Sequence, residues 1–119
     1  LMVKDNHIDR AGGIVPAVEK LRAAYGEDCP PIEVECRSFD EVDQAVGCKV
    51  NRIMLDNMDL EELRQALARV PAGIETEVSG GVSLENIAAI GAIGPDFVSV
   101  GRLTHSAPVA DLSMRISAL

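Results

Sequence analysis

"RIMLDNMDLEELRQALARVPAGIETEVSGGVS", residues 52–83, changes its hydrophobic period twice and so decides the fold. "RIMLD" (52–56) is a short apolar run that ends on a carboxylate, the reading of a strand buried on both faces. From Asp59 the period lengthens, with Leu60, Leu63 and Leu67 falling on one face of a helix. "GIETEVS" then returns to alternation, and the small residues Ser79, Gly80 and Gly81 form a bare turn before the next segment. Strand, helix and strand in this order make a right-handed βαβ unit with a parallel pair. The turn itself has two readings: a tight connection, or a cradle of backbone N–H groups for a phosphate.

The same alternation extends in both directions. Upstream, "LMVK" (1–4) is an apolar run that ends in the polar cluster DNH. "IVPAVEKLRAAYG" then places Ile14, Val18, Leu21 and Tyr25 at helical spacing, with Gly26 as the stop. "PIEVE" (31–35) reads as a strand, and "SFDEVDQAVG" (38–47) as a helix capped by Ser38 with Glu41 three residues on. Downstream, "SLENIAAIGAIG" reads as a helix capped at Ser83, "DFVSV" as a strand, and 110–118 as a last helix. The expected fold class is therefore α/β, a partial (β/α) barrel of about five parallel strands alternating with helices. A complete barrel of this kind takes about 250 residues, so the 119 residues present read as one part of a barrel with two open sheet edges.

Composition narrows the function classes. With a formal net charge of −8 and no run of Lys or Arg, the chain is a poor partner for nucleic acid or an anionic membrane. No apolar stretch approaches the roughly 20 residues that span a bilayer, and no signal-peptide pattern opens the sequence, which points to the cytoplasm. Cys29, Cys36 and Cys48 are odd in number and lack CxxC spacing, so they read as free thiols, and no zinc site is signalled.

Lys4, Glu35, Asp56, Ser79 and Gly101 each sit at or just after the C-terminal end of a strand, at intervals of 21 to 31 residues. In an α/β barrel those ends share the rim on which active sites are built. Glu35 and Asp56 are placed to share a Mg²⁺ or to accept hydrogen bonds from sugar hydroxyls; the alternative is that they cap helices or pair with Lys4. Lys4 is placed to hold an anionic group as a point charge, or is an ordinary solvated lysine. Glu33, Glu35, Glu75 and Glu77 alternate, so each pair shares one face of its strand. His7 and His105 are single loop histidines with a structural role as the plainer reading. A second small turn, "SVGRLTHSA" (99–107), sets Gly101 after a late strand with Thr104 and Ser106 nearby, which favours the phosphate reading of the first turn.

Taken in order, "VKDNHI", "IEVEC", "IMLDNM", "EVSGGVSLENI" and "DFVSVGRLTHSA" resemble the signature segments of quinolinate phosphoribosyltransferase, the nicotinate-nucleotide pyrophosphorylase of NAD biosynthesis. That resemblance implies an enzyme that converts quinolinate and phosphoribosyl pyrophosphate, with Mg²⁺, to nicotinate mononucleotide, CO₂ and pyrophosphate. It implies substrate contact by Lys4, binding of ribose hydroxyls and Mg²⁺ by Glu35 and Asp56, and a 5′-phosphate held by Ser79, Gly80, Gly81, Val100 and Gly101, with Arg102 and His105 beside them. It also implies a homodimer or larger assembly, and that residues 1–119 are the C-terminal part of the catalytic barrel, inactive without the arginines that grip quinolinate. Arg102 departs from the small residue usual in the family, and there it either adds a phosphate contact or crowds the turn. Two further readings stay open: a ModD-type protein of molybdate operons, and a non-catalytic phosphate-binding or assembly module.

Overall fold

The computed structural model describes residues 1–105 and 109–117. Five strands, β1 (Met2–Val3), β2 (Glu33–Cys36), β3 (Arg52–Asp56), β4 (Glu75–Ser79) and β5 (Phe97–Val98), form one sheet in the order β1-β2-β3-β4-β5, every neighbouring pair parallel. Between them run α1 (Asp5–Ala11), α2 (Ile14–Tyr25), α3 (Phe39–Gly47), α4 (Leu60–Leu67) and α5 (Ile87–Ala92), and a short turn of helix, α6 (Arg102–His105), follows β5. A sequential, all-parallel order is that of a barrel wall rather than a doubly wound sheet, in which the order reverses.

The two faces of the sheet differ in chemistry. Val3, Val34, Cys36, Ile53, Leu55 and Val78 point to one face and are buried there with Ile14, Val18, Val42, Leu63 and Ile90 from the helices. The other face presents Glu33, Glu35, Arg52, Asp56, Glu75, Glu77 and Ser79, the inner wall of the barrel segment. Register fixes the levels: Glu35 stands opposite Met54 and Met54 opposite Glu77, while Asp56 stands opposite Ser79.

Local signals explain the helix starts. Asp59 accepts from the N–H groups of Glu61 and Glu62, each at 2.8 Å, while Glu62 returns its carboxylate to the Asp59 N–H at 2.8 Å. Such a reciprocal cap contributes about 1 kcal/mol. Ser38 Oγ accepts from Glu41 N–H at 3.3 Å, as its position implies, and Gly26 closes α2 at φ 58°.

Three of the differences from the sequence reading have a local cause. The DNH cluster is not a loop but the first turn of α1, because Lys4 is extended and its N–H donates to His7 Nδ1 at 3.0 Å. The helix expected from Ser83 begins at Ile87, since Asn86 Oδ1 takes the Ser83 N–H at 2.8 Å and bends 83–86 into a turn. The helix expected over 110–118 does not form through 117; Leu112, Met114 and Ile116 alternate with Ser113, Arg115 and Ser117, a period of two that gives a helix no apolar face. Residue 118 lies outside the described residues.

Candidate functional site at the C-terminal rim

Lys4 leaves β1 level with Glu35, and its Nζ lies 3.3 Å from Glu35 Oε1. The pairing alternative for Glu35 is thus realised. The Glu35 side chain is 13% exposed against 47% for Lys4, so the ammonium remains open to an anionic ligand while the carboxylate is largely covered. Asp56 ends β3 on the same face, and its Oδ2 accepts from Asn57 Nδ2 at 2.9 Å.

Asn57 is a site residue that sequence reading passed over. It takes φ 54°, a left-handed conformation that asparagine tolerates, and its N–H donates to the Ser79 carbonyl at 3.0 Å. This binds the end of β3 to the glycine turn. A Cβ on Gly80 would lie 2.4 Å from Asn57 Oδ1 and 2.7 Å from its backbone N, so Gly80 (φ 83°) is required by Asn57 and not by an open ligand space. Gly81 is different: it takes φ 61°, and a Cβ there meets nothing within 4 Å among the described residues beyond its chain neighbours. Asn86 Nδ2 donates to the Gly81 carbonyl at 3.0 Å, which fixes the peptide's direction. Among the described residues the N–H groups of Gly80, Gly81 and Val82 find no acceptor.

The second turn closes on the first. Ser79, Gly80 and Gly81 on one side and Ser99, Gly101 and Arg102 on the other line a single open pocket of about 460 Å³. Val100 is not part of that lining; its side chain packs against the core, where burial of apolar surface is the stronger demand. Arg102 lines the pocket and reaches no ion-pair partner among the described residues. The His105 side chain and Ser106 lie outside the described residues. A larger hollow of about 700 Å³ lies at the β1 edge among Leu1, Met2, Ala17 and Leu21, but its lining is mainly apolar and carries none of the rim carboxylates.

Below the rim, the inner face is a charged cluster. Arg52 binds Glu75 Oε2 through Nη2 at 2.7 Å and Nε at 3.0 Å, reaches Glu77 Oε2 through Nη1 at 3.2 Å, and lies 4.0 Å from the centre of the Phe97 ring. Ser99 Oγ donates to the other oxygen of Glu77. Glu33 Oε1 is buried without a hydrogen-bond partner, and burial, then the neighbouring Glu77 charge, push its carboxyl above the ordinary range. Asp96 accepts from the Thr76 N–H at 2.8 Å and the Thr76 hydroxyl at 2.9 Å, bonds that hold its carboxyl below the ordinary range and fasten β5 to β4. Cys36 sits in the core, where burial pushes its thiol up to about 12, so it is not a nucleophile.

Of the residues expected at one rim, Lys4, Glu35, Asp56, Ser79 and Gly101 all stand at the C-terminal end of the sheet. His7 is turned to a structural task through Nδ1. Among the described residues no group of three or more His, Cys, Asp or Glu converges as a metal site, and no helix is long and apolar enough to cross a membrane.

A family model described as "Quinolinate phosphoribosyl transferase, C-terminal domain" matches residues 1–115. A probable nicotinate-nucleotide pyrophosphorylase (carboxylating) of Bacillus subtilis is 38% identical over 117 residues, covering 98% of this chain and 40% of the relative. The nicotinate-nucleotide pyrophosphorylase (carboxylating) of Rattus norvegicus is 40% identical over 121 residues, again with 40% of its length covered. Solved structures agree: NadC from Streptococcus pyogenes superposes with a TM-score of 0.81 at 37% identity, covering 89% of this chain and 37% of that one. The nicotinate-nucleotide pyrophosphorylase from Ehrlichia chaffeensis gives 0.84 at 34% identity, with 89% and 38% covered. The chain thus spans about two fifths of the length of the curated relatives it matches. On its sequence, its sheet order and its paired glycine turns, the chain belongs to the quinolinate phosphoribosyl transferase C-terminal domain family.

Proposed function

We propose that this chain supplies the sugar- and phosphate-binding part of a cytoplasmic quinolinate phosphoribosyltransferase. The whole enzyme would act as a homodimer or larger assembly and join quinolinate to phosphoribosyl pyrophosphate, releasing pyrophosphate and CO₂. The observation that carries the reading is the convergence of two glycine turns on one pocket at the rim that also holds Lys4, Glu35 and Asp56. Backbone donors at Gly81 and Val82 suit a phosphate monoester, and Arg102 adds a cation at the pocket's edge.

In this reading the C1–O bond of the sugar breaks with its electron pair leaving on pyrophosphate, and the quinolinate ring nitrogen forms the new bond to C1. The carboxylate beside that nitrogen then departs as CO₂ and the ring carbon takes a proton. Positive charge develops on the sugar as pyrophosphate leaves, and the Asp56 and Glu35 carboxylates face that charge from the rim. Lys4 holds an anionic group of the substrates, its charge balanced between ligands by Glu35. The donor set fits Mg²⁺ in part: Asp56 keeps one oxygen clear of Asn57, Glu35 is shared with Lys4, and no third side chain converges among the described residues. Such a pair suits a cation that takes most of its ligands from substrate and water, and Mg²⁺ would there neutralise the leaving pyrophosphate. The cations that grip the quinolinate dicarboxylate come from outside these 119 residues, whose own balance is −8.

The test is quinolinate-dependent release of pyrophosphate by the full-length protein and its Lys4→Met and Asp56→Asn variants. Each is expected to lose roughly 100-fold or more in kcat/KM, on the scale of removing one group that stabilises transition-state charge, with its melting temperature nearly unchanged. Turnover that survives both substitutions would remove the rim from the chemistry.

A further inference from the structure

Ser99 both lines the phosphate pocket and donates its hydroxyl proton to Glu77. A serine hydroxyl has one proton to give and two lone pairs. With the proton committed to a carboxylate, only lone pairs are left for the pocket, and donation to a charged acceptor makes the oxygen a stronger acceptor in turn. The commitment is firm because Glu77 is itself fixed: its second oxygen lies 3.2 Å from Arg52 Nη1, and Arg52 is clamped by Glu75 and stacked on Phe97. Glu77 is buried, so water does not compete for it.

Position indicates what an acceptor there meets. Ser99 N–H donates to the Val78 carbonyl at 2.9 Å, which sets Ser99 beside Ser79, and Ser79 stands opposite Asp56. Asp56, Ser79 and Ser99 are therefore one row of the inner face, just below the glycine turn. A phosphate monoester, doubly ionised above its second ionisation at about pH 6, offers no proton to Ser99. A sugar attached to that phosphate does, through its hydroxyls.

Resting on the phosphate reading of the pocket, we propose that Ser99 is a specificity-determining residue that accepts a hydrogen bond from a sugar hydroxyl, and that Glu77 is the positioning residue that keeps the Ser99 proton turned away. The pocket thereby separates its tasks: backbone N–H groups take the phosphate, and the Asp56–Ser99 row accepts from the sugar.

Calorimetric titration of the full-length protein at about pH 8, where a phosphate monoester is doubly ionised, with ribose 5-phosphate and with methyl phosphate tests this. Ser99→Ala is expected to weaken ribose 5-phosphate about 5-fold, the scale of one hydrogen bond, and to leave methyl phosphate within about twofold. Ser99→Thr, which keeps the hydroxyl, restores the preference. Glu77→Gln carries the sharper sign: its amide oxygen stays on Arg52, its NH₂ turns to Ser99, and the released hydroxyl proton faces the pocket. Methyl phosphate then binds more tightly and ribose 5-phosphate more weakly than in the unmodified protein, a reversal that a packing defect does not produce. Phosphate binding weakened by Ser99→Ala as much as ribose 5-phosphate binding would make Ser99 a phosphate donor and overturn the proposal, as would an unchanged ratio in both variants. If the unmodified protein binds neither probe, the phosphate reading falls and this inference with it; if it binds both and Gly81→Val abolishes that binding while Ser99 is silent, only this inference falls.

Discussion

Gly81→Val separates a phosphate cradle from a plain turn, because the structure gives Gly80 and Gly81 different reasons to be glycine. At Gly80 an added Cβ is driven into Asn57 at 2.4 to 2.7 Å with φ at 83°. Overpacking and a left-handed non-glycine together cost roughly 2–5 kcal/mol of folding stability. At Gly81 the conformational cost remains, about 1–2 kcal/mol for a side chain at φ 61°. Beyond its chain neighbours, no atom of the described residues lies within 4 Å to add a clash. What a valine there does meet is the space over the N–H groups of Gly81 and Val82. Loss of one or two charge-assisted hydrogen bonds weakens binding by ~2–4 kcal/mol, or about 30- to 1,000-fold in Kd. The assay is calorimetric titration of the full-length variant with phosphoribosyl pyrophosphate and with quinolinate, at a temperature where it remains folded. Phosphoribosyl pyrophosphate is expected to lose that factor and quinolinate to change less than about threefold, under 1 kcal/mol. Equal losses for both ligands, tracking a lower melting temperature, would refute the cradle and leave Gly81 a structural turn.

Two further outcomes follow from the inner face and from β5. Glu33 has a raised carboxyl because burial and Glu77 oppose its charge. Its ionised form therefore burdens the folded state above its raised folded-state pKa, and that burden fades as pH falls toward the ordinary glutamate value of 4.5, below which both states are protonated. Glu33→Gln is expected to raise the melting temperature at neutral pH and to lose that advantage in mild acid; a variant less stable at pH 7 would show that Arg52 needs the Glu33 charge. Asp96 is the opposite case, lowered by the Thr76 N–H and hydroxyl, so its contribution is present above 3.8 and is lost as pH falls through the still lower folded value. Asp96→Asn should flatten the acid end of the stability profile below about pH 4, and an unchanged acid limb would mean that β5 is held by other contacts.

Much of this arrangement was legible in residue order because it rests on local period. β3 is bounded as "RIMLD" reads, α4 by its own aspartate cap, and the rim residues follow from where each strand stops. What escaped reading depends on register between strands. Arg52 meets Glu75 and Glu77 because β3 and β4 pair with Arg52 opposite Glu75, and Ser99 meets Glu77 across 22 residues of chain. A run of polar residues such as DNH hides α1, since only Ile8 of that helix is buried. Asn57 left a faint signal, an asparagine after a strand-end aspartate, which becomes meaningful only once Gly80 is seen packed against it.

A chain at −8 that lines its inner face with carboxylates looks ill suited to a phosphorylated ligand, and the arrangement of donors answers the objection. A phosphate bound at the glycine turns would be offered neutral backbone N–H groups beyond the strand ends, whose partial charges act at contact distance and need no net positive field. The carboxylates lie lower: Glu77 and Glu75 are tied to Arg52 and Glu35 to Lys4, so several of the negative groups nearest the pocket are already bonded to cations. Asp56 is held by an amide rather than a cation, which leaves its charge undiminished where a sugar would present developing positive charge. On the proposed reading the net charge would govern how an anionic substrate approaches, while its bonding once seated would be decided by which carboxylates are neutralised and which are not.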